Sequence, residues 1–326
     1  MISLLPRFTE VRAGLPAPGK RKVVVFVHGI FSSAATFDAL LASVRNDRRF
    51  DSYDLATYEY DWGEPILTSA ARMRHILNVR LPEALADVTL VGHSMGGLVS
   101  RFALIGGDLP CVRRIFMLGT PNFGAITAAQ VSLLWQVAIA AAGRVTPVFP
   151  RKRGLRDLTR VQGAYRSVAA SIPQAASRAR SVEYITLPGL YYHDERRDTD
   201  PGDDGAALPF TIGTLVLRAL ALWSWAEIKI ERPHDGVVEE ASVSLIPRKA
   251  GRFSEKSVSI QQSPKHGRTY CHATAISALD SMHMAIQSDA SVAEVIKGIL
   301  LAGSIVAWDD ALPLAARDGF INVEIP

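Results

Sequence analysis

The stretch Val88-Thr89-Leu90-Val91-Gly92-His93-Ser94-Met95-Gly96-Gly97-Leu98-Val99 decides the fold. An apolar, β-branched tract runs through Gly-x-Ser-x-Gly into a tract of helical character. That is the setting in which the motif has mechanical meaning, because a strand ends, the chain turns sharply and a serine is left at the apex. The strand is expected to end at Val91 or Gly92, with Ser94 lifted out of the sheet and exposed at the elbow. Gly92 and Gly96 supply the missing Cβ atoms that so tight a turn needs. The next helix would aim its unpaired N–H groups at the reaction centre, where they favour developing negative charge. The competing reading is a Gly-rich turn that only packs a helix onto a strand.

Working outward, the elbow sits within an alternation of strands and helices. Val23-Val24-Val25-Phe26-Val27 is a continuous apolar run that suits a strand buried on both faces of a parallel sheet, and it ends at His28-Gly29-Ile30-Phe31. Phe37, Leu40, Leu41 and Val44 fall at helical spacing. Tyr53 to Tyr60 reads as a strand, 66–81 as an amphipathic helix, the elbow helix runs to about Ile105, and Arg114 to Gly119 is a further strand. Val182 to Leu187 and Ala273 to Leu279 continue the sheet, and Ser291 to Leu301 is the closing helix. The fold class expected is α/β, a doubly wound, mostly parallel sheet with helical cap insertions.

Residues 1–20 hold three prolines and no sustained period, and read as an irregular arm. The core is expected over 21–121, 181–190 and 234–326. Residues 122–180 break the pattern with an Ala-rich apolar tract (125–149) and seven arginines between Arg151 and Arg180, and read as a cap or lid insertion. A second insertion, 191–233, carries an apolar tract at 208–230 with Trp223 and Trp225. Its length makes it a membrane-span candidate. Arg218 in mid-run and Gly213 favour instead a buried or lid helix with an interface-facing side. The two tracts leave room for peripheral contact with a membrane or lipid interface.

The 326 residues are 48% hydrophobic and 21% charged, with a net charge of +4, which fits a globular chain with a large core. No dense basic block with interleaved aromatics is present, so nucleic acid is not an expected partner. The two cysteines, Cys111 and Cys271, form no metal-ligand pattern and read as core thiols. Met1 to Arg7 is too short for a secretory apolar region, so a cytoplasmic location is the default expectation, with membrane association left open.

A serine needs an adjacent base, and the base an orienting acid. After a strand–elbow–helix these come in chain order Ser, Asp or Glu, then His. His28, His75 and His93 therefore fall out as the base by order. His283 is the choice, placed between the last strand-like tract and the last helix; His272 and His266 are rivals. Asp235, in Pro233-His234-Asp235-Gly236-Val237-Val238, is the acid, with Asp194 as the alternative. Val237 and Val238 would pack back into the core. The oxyanion donors are the backbone N–H of Met95 and that of Ile30, with Phe31 as fallback. His28 and Gly29 support that loop, His28 by hydrogen bonding. No metal or cofactor is called for.

His28-Gly29, the Gly92 to Gly97 elbow, Leu118-Gly119-Thr120-Pro121-Asn122-Phe123-Gly124, Asp235-Gly236-Val237-Val238 and His283-Met284 occur in an order that resembles the α/β-hydrolase lipases and esterases. The resemblance covers about 22 to 124 and the C-terminal loops. It implies carboxylic-ester hydrolysis through a Ser94 acyl-enzyme on a lipid or other apolar acyl substrate, with a cap over the acyl pocket. A thioesterase, small-ester esterase or amidase with the same triad is the alternative; a non-catalytic binding protein would have no use for all three residues.

Overall fold

The runs of β-branched residues determine the centre of the molecule. In the computed structural model the described residues are 6–15, 18–82, 84–105, 109–124, 157–158, 182–189, 238, 240–243, 258–263, 268–273, 283, 285–305, 307 and 321–322. Among them nine strands form one sheet. In chain order they are β1 (Arg7–Arg12), β2 (Arg21–Val27), β3 (Tyr53–Glu59), β4 (Ala86–His93), β5 (Val112–Leu118), β6 (Val182–Leu187), β7 (Val258–Ser263), β8 (Arg268–Ala273) and β9 (Ile321–Asn322). The spatial order is β1-β3-β2-β4-β5-β6-β8-β7-β9. The six strands from β3 to β8 in that order pair in parallel, while β1 and β7 run antiparallel to their neighbours β3 and β8. The sheet is thus mostly parallel, as the alternating pattern implies.

Side chains alternate across a strand, so each apolar strand feeds two cores. Val23, Val25 and Val27 of β2, Ala56 and Tyr58 of β3, and Ile115 and Met117 of β5 enter one cluster. There they meet Met73 and Leu77 of α2 (Ile66–Arg80) and Leu98 and Phe102 of α3 (Met95–Ile105). Val24, Phe26, Leu55, Phe116 and Leu118 face the other way. They pack on Leu40 and Val44 of α1 (Asp38–Arg45) and on Ile296 and Ile299, which belong to the last described helix. Full burial of one such side chain contributes about 1.5–3 kcal/mol. Doubly covered parallel strands therefore supply most of what holds the sheet.

Two expectations are corrected. The arm 1–20 is not irregular throughout, because Arg7–Arg12 forms the edge strand β1. Its residues are exposed or half-buried along the whole run, so it carries no apolar period to read. The strand expected to start at Ala273 is already formed over Arg268–Ala273, paired with β6 and β7. That places His272 within the strand rather than before it; residues 274–280 lie outside the described residues. The polar strand β7 was not expected at all.

The topology also places the site. Chain order goes from β2 to β3 on one side and then to β4 on the other. The carboxyl ends of β2 and β4 therefore flank a switch point, where open α/β sheets bind their ligands. Among the described residues no helix is long and apolar enough to cross a membrane. Both apolar tracts, 125–149 and 208–230, lie outside the described residues.

Candidate active site

The elbow forms where β4 gives way to α3. Ser94, between them, has φ +52°, a left-handed conformation that costs a non-glycine residue energy and is kept where the surroundings enforce it. Its N–H donates to the carbonyl of Leu118 at 2.8 Å, and its carbonyl accepts from Gly97 N–H at 3.1 Å. A Cβ on Gly92 would come within 2.5 Å of the Gly97 backbone, and one on Gly96 would fall on the carbonyl oxygens of Val27 and His28. These glycines let α3 press onto the ends of β2 and β4. Ser94 does not stand exposed at the apex as expected; it is 4% exposed.

His283 comes to Ser94 from 189 residues away: its Nε2 lies 2.9 Å from Ser94 Oγ, and the residue is buried. The chain on its carboxyl side anchors it. Ile286, in the 3-10 turn Ile286–Ser288, is fully buried in the core, and Gln287 Nε2 donates to Thr36 Oγ1 at 3.1 Å. Helix α4 runs Ala290–Ala302. Asp289 caps it by accepting from the N–H groups of Ser291 and Val292, the usual use of an Asp at that position. At its other end Gly303 (φ +81°) closes the helix, and Arg114 Nη2 donates to the Gly303 carbonyl at 2.6 Å. Glu183 accepts from Arg114 Nε at 2.7 Å and from Ile305 N–H at 2.8 Å. This buried ion pair fixes the helix to β5 and β6.

The loop after β2 packs against Ser94. A Cβ on Gly29 would lie 3.0 Å from Ser94 Cβ, so a side chain there would press on Ser94 and His93. His28 Nδ1–H donates to the Gly29 carbonyl at 2.8 Å, and its Nε2 accepts from Tyr60 N–H at 3.2 Å. These two bonds fix the tautomer. The Tyr60 ring stacks on His28 at 4.5 Å and its hydroxyl donates to the His28 carbonyl at 2.9 Å. Burial, the largest influence, lowers the His28 pKa from its ordinary value, so the ring is a neutral brace, in line with the hydrogen-bonding role read from the sequence. The carbonyl it holds belongs to the Gly29–Ile30 peptide. In a planar trans peptide the N–H points opposite to the C=O, so His28 sets the direction of the Ile30 N–H. Phe31 comes next at φ +54°, its ring edge-on to Trp62 at 4.4 Å. Met95 opens α3, so its N–H is among the first-turn donors that a helix leaves without an internal acceptor.

The structure thus brings Ser94, His283, Met95, His28, Gly29 and Ile30 to one sheet edge. Asp235, its rival Asp194 and His266 lie outside the described residues. Val238, three residues after Asp235 in the sequence, is buried in the core as expected. Beyond it the short helix Glu240–Val243 is clamped to the segment after β5. Asn122 Nδ2 donates to the Val243 carbonyl at 2.7 Å, Ser242 Oγ accepts from Phe123 N–H at 3.2 Å, and the same hydroxyl donates to the Gly124 carbonyl at 2.5 Å. Arg101, buried in α3, donates to Asn122 Oδ1 at 3.1 Å. Sequence reading missed Tyr60, although two tyrosines bracketing Glu59 at a strand end are a local signal. It also missed Asp157, whose carboxylate accepts from Ile66 N–H at 3.0 Å and for which the basic stretch around it gives no cue. Burial pushes the Cys111 thiol up to about 11, so it is no rival nucleophile.

The alpha/beta hydrolase family model matches residues 24–244. The chain belongs to the alpha/beta hydrolase family. Its fold is similar to that of Bacillus licheniformis lipase BlEst2 in mature form, at 17% identity and a TM-score of 0.56, covering 90% of this chain and 98% of that one. It is also similar to the phospholipase PlaB from Legionella pneumophila, at 15% identity and a TM-score of 0.52, covering 89% of this chain and 61% of that one. At these identities the likeness concerns the fold. No curated protein sequence matches the chain. Family and fold together support a hydrolase.

Proposed function

We propose that this alpha/beta hydrolase is a serine ester hydrolase acting on a lipid or other apolar acyl substrate. The observation that carries the reading is the 2.9 Å contact between Ser94 Oγ and His283 Nε2 at a strained elbow. In this scheme His283 takes the Ser94 proton as Oγ attacks the ester carbonyl carbon. The tetrahedral oxyanion is held by the N–H groups of Met95 and Ile30, each worth roughly 3–4 kcal/mol in the transition state. His283 then passes its proton to the leaving alkoxide, the alcohol departs, and water, deprotonated by the same ring, releases the acid from the Ser94 acyl-enzyme. Asp235 is the carboxylate assigned to orient His283 and stabilise its charged form. No metal ion or cofactor enters these steps.

The choice of an apolar acyl chain draws on two things. The chain carries long apolar tracts at 125–149 and 208–230, and two of the solved proteins of similar fold are a lipase and a phospholipase. Esters and thioesters of graded chain length, assayed with the wild-type chain and with Ser94→Ala, test the proposal. The reading expects ester turnover that rises with chain length and vanishes in the variant. Faster thioester turnover would move the chain to the thioesterase alternative, and turnover that survives Ser94→Ala would end the proposal.

A further inference from the structure

One buried ring beside Ser94 has no task in this scheme. His93 is the last residue of β4 and is 2% exposed. Its Nε2 lies 2.8 Å from the backbone carbonyl oxygen of His283, and the two rings tilt against each other with centroids 5.0 Å apart. A carbonyl only accepts, so Nε2 carries the proton and Nδ1 is a bare lone pair. Among the described residues that Nδ1 has no hydrogen-bond partner. It faces the backbone of Gly29, where a Cβ would stand 3.1 Å away. An unpaired buried lone pair is a cost that an apolar side chain would avoid. Leu90 and Val91, just before it on the same strand, are apolar. The ring is therefore accounted for by its other nitrogen.

We propose that His93 is a positioning residue for the base: its Nε2–H bond to the His283 carbonyl fixes the backbone that carries the imidazole, and its ring walls that imidazole into line with Ser94 Oγ. The inference rests on the reading of Ser94 and His283 as nucleophile and base. Neutrality suits the task. Burial above all, then the neighbouring His283 and His28, push the His93 ring down to about 3. It stays uncharged while His283 becomes an imidazolium 5.0 Å away, so it holds the base without repelling its charged form. Gly29 serves both rings and the nucleophile by leaving the space in which His93 and Ser94 lie side by side.

The test compares the full-length wild-type chain with His93→Phe, which keeps a ring and loses the donor, and with His93→Gln, whose amide Nε2 reaches about as far. On a short soluble ester, His93→Phe is expected to lose about 10- to 100-fold in kcat, the scale of a misplaced catalytic group, with KM unchanged. His93→Gln is expected to recover most of that loss. Wild-type kcat in the Phe variant would overturn the proposal. So would a Gln variant as slow as the Phe variant, or losses that only track the fraction of folded protein. If the Phe variant does not fold, His93→Asn, one bond too short, takes its place against Gln with the same two outcomes. Nitrogen-resolved histidine NMR of the wild-type chain gives a readout that needs no turnover. The proposal expects His93 protonated at Nε2 and not titrating between about pH 5 and about 8. An Nδ1–H ring or one that titrates there overturns it. A wild-type chain that hydrolyses no ester but shows the expected His93 ring would instead count against the ester-hydrolase reading alone.

Discussion

Asn122 donates its side-chain amide to the carbonyl of Val243 at 2.7 Å, joining two parts of the chain 121 residues apart. With the Ser242 hydroxyl bonded to Phe123 and Gly124, this makes the Thr-Pro-Asn-Phe-Gly segment a clamp on the helix Glu240–Val243, which follows Asp235 in the sequence. The motif therefore does more than end a strand. It ties the stretch after the assigned acid to β5, whose end also receives the N–H of Ser94.

The clamp can be tested through stability. Asn122 is 2% exposed, and Asn122→Leu removes the donor to Val243 and the acceptor for Arg101 while roughly keeping volume. A buried carbonyl and a buried cation each lose a partner, which costs about 1–3 kcal/mol per neutral group and more for a charged one. Urea unfolding is expected to show at least about 2 kcal/mol of destabilisation, and an unchanged midpoint would refute the clamp.

His28→Phe keeps an aromatic ring on Tyr60 but loses the donor to the Gly29 carbonyl. The Gly29–Ile30 peptide is then free to rotate its N–H away from the oxyanion. We expect kcat on esters to fall roughly 10- to 100-fold, part of the value of one oxyanion donor, with KM little changed. Steady-state kinetics on an acetate ester checks this; unaltered kcat would remove Ile30 from the oxyanion hole.

The central sheet was legible because doubly covered parallel strands leave continuous apolar runs, as in Val23–Val27, or short β-branched and aromatic runs, as in Val182–Leu187. Edges were not. β1 shows only exposed or half-buried positions, and β7, Val258-Ser259-Ile260-Gln261-Gln262-Ser263, is polar at four of its six positions. Apolar Ala273–Leu279 looked more strand-like than Arg268–Ala273, which carries Arg268 and His272 yet pairs with β6. In the site, Ser94 and His283 could be found from motif and chain order. What Tyr60 does for His28, or His93 for His283, could not, since those bonds join residues 32 and 190 positions apart and leave no periodic trace.

The two buried imidazoles also set an acid limit on stability. His93 falls from its ordinary 6.5 to about 3, and His28 is lowered too, in both cases chiefly by burial. Above pH 6.5 the His93 ring is neutral in folded and unfolded chains alike. Below it the unfolded chain binds a proton that the folded chain refuses, so stability falls with pH until the folded ring protonates near 3. The slope is about 1.4 kcal/mol per pH unit per ring. Urea midpoints taken between about pH 7 and about pH 5 should decline, and His93→Gln should lessen the decline by one proton's worth. An identical slope in the variant would contradict the buried neutral ring.

The acid is decided by two substitutions. Asp235→Asn is expected to lower kcat by about four orders of magnitude, as loss of the orienting carboxylate does in such triads, while Asp194→Asn leaves it near wild type. Parallel kinetics on one ester settles the pair, and the reverse pattern would transfer the role to Asp194.

Ser94 as nucleophile is the claim on which the rest depends, and covalent labelling reads it directly. The wild-type chain is treated with a fluorophosphonate, digested, and the modified peptide sequenced by mass spectrometry. One adduct is expected, on Ser94, absent in Ser94→Ala and formed far more slowly in His283→Ala, both variants remaining folded by circular dichroism. An unlabelled wild-type chain, or an adduct on another residue that persists in Ser94→Ala, would contradict the assignment.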